Sequence, residues 1–115
     1  MDDGYYSKDG IKSIGQLKRL KRDLYDSFFE FDRKVFAAGS LSSKYKELIA
    51  VGCAHVTRCP YCIDAHVRRA KETGAADEEI AEAIFVSAAM NAGAAMAHSC
   101  ISMDVLAGGN KVGQR

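Results

Sequence analysis

Apolar residues recur at three- and four-residue steps along most of the chain, which is the period of amphipathic helices. Ile14, Leu17, Leu20, Leu24, Phe28, Phe31 and Val35 mark one long helix, with Gly39 as its left-handed stop. Ser42 or Ser43 caps a second, whose apolar positions are Tyr45, Leu48, Ile49, Gly52 and Val56. A third starts at Cys59-Pro60, with proline at the first helical position, where its missing N–H costs nothing, and ends at Gly74. The fourth begins around Ala76–Asp77, its first-turn acids Asp77, Glu78 and Glu79 facing the positive end of the helix dipole. Its core side is Ile80, Ala83, Ile84 and Ala88, with Ser87 a small polar residue on the same face. The stretch "NAGAAMAHSCISMDVL", Asn91 to Leu106, reads as a fifth helix beyond a break or kink at Gly93. No strand period competes and no repeat is present. The predicted fold class is all-α, with about five to six helices over 13–106 and flexible ends at 1–12 and 107–115.

The composition is that of ordinary globular material: 115 residues, 48% apolar and 27% charged, enough for one domain. Sixteen basic against fifteen acidic residues leave a formal charge of +1, so nothing calls for nucleic acid, a membrane surface or an acidic substrate. The basic run Lys18 to Arg22 is followed by Asp23, Asp26, Glu30 and Asp32, the pattern of a solvated helix face. No stretch has the length of a membrane span, since the apolar run from Leu48 to Val56 is far too short and contains His55. Met1 to Tyr6 lacks the charged-then-apolar pattern of a secretory signal. The expected location is therefore cytoplasmic, where four cysteines point to catalysis or metal binding rather than structural disulfides. Helices rich in Ala, Gly and Met over 83–106 pack closely but bury little volume within so short a chain, which predicts a homo-oligomer. Cys53 reads as a packed residue, Met90, Met96 and Met103 as core filler, and His98 and Cys100 as core or interface.

The chemistry concentrates in "RCPYCIDAH", Arg58 to His66. With Cys59 at the N-cap and Pro60 at the first helical position, Cys62 falls in the first turn. Both sulfurs then sit where unpaired N–H groups and the helix dipole favour negative charge, and the thiolate is the reactive form. The spacing of three brings the two thiols to one side of that turn, within reach of a disulfide. His66 follows Cys62 by four, one turn further along the same face, where it can take a thiol proton directly or through a water. Glu47 enters a helix that is otherwise apolar on its side. If the second and third helices form a hairpin around the short turn, its carboxylate can orient His66 and keep it basic.

Glu47, then twelve positions to Cys59, then the second cysteine and a histidine four beyond, resembles the alkylhydroperoxidase D (AhpD)-like branch of the carboxymuconolactone decarboxylase family. "LSSKYKELIAVG" before the motif and "HVRRAKETGAADEEIAEAI" after it agree, and the resemblance covers roughly Ser40 to Val105. It implies an all-helical fold assembled into homotrimers or homohexamers (trimers of dimers), and a thiol-dependent reduction of small hydroperoxides. It further implies that Cys62 is the peroxidatic sulfur, Cys59 the resolving one, and Glu47 and His66 the proton relay. The redox-active Cys59–Cys62 disulfide would stand in place of any bound cofactor, with an external dithiol or disulfide reductase to recycle it. Tyr61 occupies the position where the family's best-known members carry a histidine; it can donate a hydrogen bond, and His55 can assist if its helix turns it inward.

Two other readings stay open on the sequence. One is a decarboxylase or lyase acting on a small cyclic carboxylate such as a carboxymuconolactone, which works without the paired cysteines. The other is a zinc-binding or redox-sensing module, with Cys59, Cys62, His66 and His55 as the ligand set that zinc favours.

Overall fold

The structure is a computed structural model and describes residues 9–109. A 3-10 turn, Gly10–Ile14, leads into α1 (Gly15–Leu20) and α2 (Arg22–Phe36). They are followed by α3 (Ser43–Thr57), α4 (Pro60–Glu72) and α5 (Asp77–Leu106). Every regular element among the described residues is helical, as the period requires. The ends expected to be loose at 1–12 and 107–115 fall mostly outside the described residues.

The long first helix expected from the apolar period is two helices. Lys21, at φ −144° and ψ 73°, breaks it. The break lets α1 fold back on α2, so that Ile14 and Leu17 meet Leu24, Tyr25 and Phe28 around a shared recess. An apolar stripe that continues through a bend gives no sign of the bend. The basic run crosses it, and Lys18 and Arg22 each lie 3.8 Å from Asp26 as an exposed, solvated group.

Gly39 is not the stop of α2. The helix ends at Phe36, with Ala37 extended at ψ 146°. Lys46 Nζ, from α3, donates to the carbonyls of Val35 (2.7 Å) and Ala37 (2.6 Å). A side chain from another helix thus serves terminal carbonyls that a left-handed glycine would otherwise have turned inward to satisfy.

The remaining boundaries follow local signals. Ser42 Oγ accepts the Tyr45 N–H at 3.2 Å and caps α3. Arg58 takes the left-handed conformation (φ 57°) between α3 and α4, and Gly74 (φ 98°) follows α4. Glu79 accepts the Ala76 N–H at 2.9 Å, placing a carboxylate at the start of α5. Gly93 makes no break: α5 is continuous for 30 residues. One glycine costs a helix only about 1 kcal/mol relative to alanine, and the alanines around it carry the helix through.

The core is small. Val51 of α3, Ala70 of α4, Ala75, and Ile80 of α5 are buried together, with Leu48, Val67, Ala83 and Ile84 packed against them. Ser87 is buried on the same side of α5 and donates to the Ile84 carbonyl at 2.8 Å. Ala88, expected on the core side, is exposed, as is every residue from there to His98. Met90, Met96 and Met103 are 67%, 73% and 58% exposed and fill no core of this chain. Cys53, His98 and Cys100 are exposed as well. The reason is length: α5 has twice the residues of α3, so its second half outruns the helix it packs on.

The unbroken α5 also overturns the expectation that no stretch is long enough to cross a membrane. By length and composition alone, Asp77–Leu106 is long and apolar enough to do so. Cut at Gly93, the same residues look like two short segments.

Candidate active site

α3 and α4 form the hairpin that the short turn suggests, and it brings Glu47 to His66 from nineteen residues away. Glu47 is 5% exposed, the one buried charged side chain among the described residues. Its Oε1 lies 2.7 Å from His66 Nδ1. A carboxylate can only accept, so Nδ1 carries the proton and the neutral ring keeps its lone pair on Nε2. Phe36 stacks on the imidazole with centroids 5.0 Å apart and planes 22° from parallel. The ring is thus fixed by a bond at its edge and an aromatic face across it.

At the head of α4, Cys59 is the N-cap and its Sγ accepts the Cys62 N–H at 3.2 Å. Both thiols are free and half-buried. This arrangement divides the two sulfurs. Burial, and then the hydrogen bond and charge of Cys59, push the Cys62 thiol up to about 11. The expectation that the helix terminus lowers both thiols therefore fails at Cys62. Burial is the largest cause, and the Cys62 backbone N–H serves the Cys59 sulfur instead.

Cys62 and His66 share the wall of an open cavity of about 470 Å³ between α2, α3 and α4. Cys59, Tyr61 and Glu47 stand outside that wall, with Glu47 behind His66. His55 does not join the group: its Nδ1 donates to the Val51 carbonyl of its own helix at 2.8 Å. The four-ligand set of Cys59, Cys62, His66 and His55 is therefore not assembled. Among the described residues, no three His, Cys, Asp or Glu side chains converge as a metal site. Phe36 and Lys46 line the wall without having been singled out by their sequence context, and Cys53, read as packed, lines it too. The spacing of Lys46 and Cys53 with Ile49, Ala50, Ala54 and Thr57 on one helical face was the available signal.

Fold and site together define a small all-helical domain in which a cysteine pair caps one helix of a hairpin and a buried glutamate holds a histidine beside it. The chain belongs to the carboxymuconolactone decarboxylase family, which it matches over residues 22–103. It is 46% identical over 94 residues to a protein of Paracoccus denitrificans called uncharacterized protein 4 in cox locus, covering 82% of this chain and 85% of that one. A crystal structure of a Methanobacterium thermoautotrophicum protein is similar with a TM-score of 0.68 and 34% identity, over 71% of this chain and 92% of the other.

Proposed function

We propose that the protein is an AhpD-like thiol peroxidase that reduces alkyl hydroperoxides through Cys62 and Cys59. The observation that carries this reading is that His66, hydrogen-bonded to Glu47 behind it, lines the same cavity as Cys62. A thiol that holds its proton to about 11 is unreactive near neutral pH without a base. His66, oriented through Nδ1 by Glu47, has its Nε2 lone pair available for that task. The Cys62 thiolate attacks the peroxide, an S–O bond forms, the O–O bond breaks, and the alkoxide leaves with the proton His66 had taken. Cys62 is then a sulfenic acid. The Cys59 sulfur displaces its oxygen as water, giving the Cys59–Cys62 disulfide, and an external dithiol returns the two electrons.

The protein acts as a homo-oligomer, a hexamer or trimer, in the cytoplasm where such dithiols are supplied. The exposed side chains Met90, Met96 and Met103 along the second half of α5 support that assembly.

The test is intact mass and thiol count of reduced, metal-free protein after brief exposure to one equivalent of alkyl hydroperoxide. Loss of two hydrogens mapped to Cys59–Cys62, much slower in Glu47→Gln, supports the reading. Oxidation no faster than that of a free model thiol rejects it. Lyase activity surviving in the Cys59→Ser/Cys62→Ser double variant would favour the decarboxylase alternative instead.

A further inference from the structure

The cavity beside Cys62 is built along one face of α3. Lys46, Ile49, Ala50, Cys53, Ala54 and Thr57 follow one another at helical steps on its wall. At the α-helical rise this face is about 16 Å long. Val35, Phe36 and Leu41 contribute further hydrocarbon wall, and 470 Å³ is within the usual range of small-molecule sites. No carboxylate lines the cavity; Lys46 and His66 are its basic groups.

Lys46 is held in place and left uncompensated. Its two bonds to the Val35 and Ala37 carbonyls fix the ammonium at the end of α2 and leave one N–H to spare. Among the described residues no ion pair joins an acid to it, as is also true of Lys21, whereas Lys12, Lys18, Lys34, Lys44 and Lys71 have acidic partners. The C-terminal end of α2 offsets only about half a charge. An ammonium fixed on the wall of an apolar trough, with a thiol and an imidazole on that same wall, complements an amphipathic anion.

We propose that this cavity binds a medium-chain alkyl carboxylate, its carboxylate on Lys46 and its chain along Ile49, Ala50 and Ala54. Resting on the peroxidase reading, the preferred substrate is then an alkyl hydroperoxide that carries a carboxylate, with its O–O bond presented to Cys62. Binding itself requires no peroxide chemistry, so the two readings fail separately.

The experiment is calorimetric titration of the reduced wild-type protein with decanoate and with methyl decanoate, both below their aggregation limits. The Lys46→Met and Lys46→Arg variants are titrated beside it, with circular dichroism to check folding. Wild type should bind the acid at least about tenfold more tightly than the ester, the fold-change a charge-assisted hydrogen bond carries. Lys46→Met should lose that preference while keeping the ester's affinity, and Lys46→Arg should retain it. Equal affinity for acid and ester in wild type, or no binding of either, overturns the proposal. So does an unchanged preference in Lys46→Met. If Lys46→Met does not fold, the wild-type ratio decides, together with its loss at high salt. Decanoate binding by a protein whose Cys62 is inert to hydroperoxide would overturn only the peroxidase reading.

Discussion

Replacing His66 by alanine removes the imidazole that shares the cavity wall with Cys62, and the consequence follows from the thiol's position on the pH scale. Cys62 holds its proton to about 11. At pH 7 it is therefore ionised in about one molecule in ten thousand, four pH units below its midpoint. A positioned base can recover about 10²–10⁴-fold of that deficit. Wild type, with the imidazole to take the thiol proton, should oxidise at a rate that changes by much less than tenfold per pH unit above pH 7. His66→Ala should be slower at pH 7 by about 10²–10⁴-fold, and its rate should climb about tenfold per pH unit toward the alkaline limit set by Cys62. Alanine also strands Glu47, which is 5% exposed, without its partner. A buried charge left alone costs about 3–5 kcal/mol, so the double variant Glu47→Gln/His66→Ala is run in parallel to keep the protein folded. The assay traps the Cys62 sulfenic acid in a Cys59→Ser background and follows it by mass against pH. A pH profile in His66→Ala as shallow as that of wild type would refute the reasoning, as would a tenfold-per-unit slope in wild type itself.

Stability should fall as pH rises from about 8.5, where an unfolded cysteine ionises, to about 11, where folded Cys62 does. Over that window the unfolded state has lost a proton that the native state still holds. Thermal melts across the window should flatten in Cys62→Ser; an unchanged slope would place the pH dependence elsewhere. Met96 is 73% exposed on a single chain, so Met96→Lys should leave secondary structure and monomer stability within about 0.5 kcal/mol but reduce the assembly. Light scattering showing a wild-type monomer at micromolar concentration would remove the basis for that expectation. Gly74→Ala, at φ 98°, should destabilise by about 1–2 kcal/mol in denaturant titration. A gain in stability there would contradict the left-handed turn after α4.

The elements of this fold that depend on neighbours in sequence were legible in it. The Ser42 cap, the Cys59-Pro60 helix start, the Gly74 turn and the acidic entry to α5 are fixed by side chains within a few residues of the groups they serve. The all-α class followed from a three- to four-residue apolar period that recurs along most of the chain. Four-residue spacing likewise sets His66 one turn beyond Cys62, because the helical repeat alone decides which side chains share a face.

Decisions taken between distant residues were not legible. Lys21 bends the first helix because α1 gains apolar contacts with α2, and a stripe of leucines and phenylalanines reads the same bent or straight. Gly39 lost its expected role to an ammonium that reaches the end of α2 from α3. Gly93 had the composition of a break, yet helix propensity outweighed one glycine and gave α5 its full length. The methionines and Cys53 were apolar enough for a core, but whether a core reaches them depends on where α3 ends relative to α5. Most consequential is the division between the two thiols. Local pattern placed both at a helix start that favours charge. Only the folded turn shows the Cys62 N–H given to Cys59 while burial acts on Cys62, because desolvation and hydrogen-bond direction are properties of packed atoms, not of spacing.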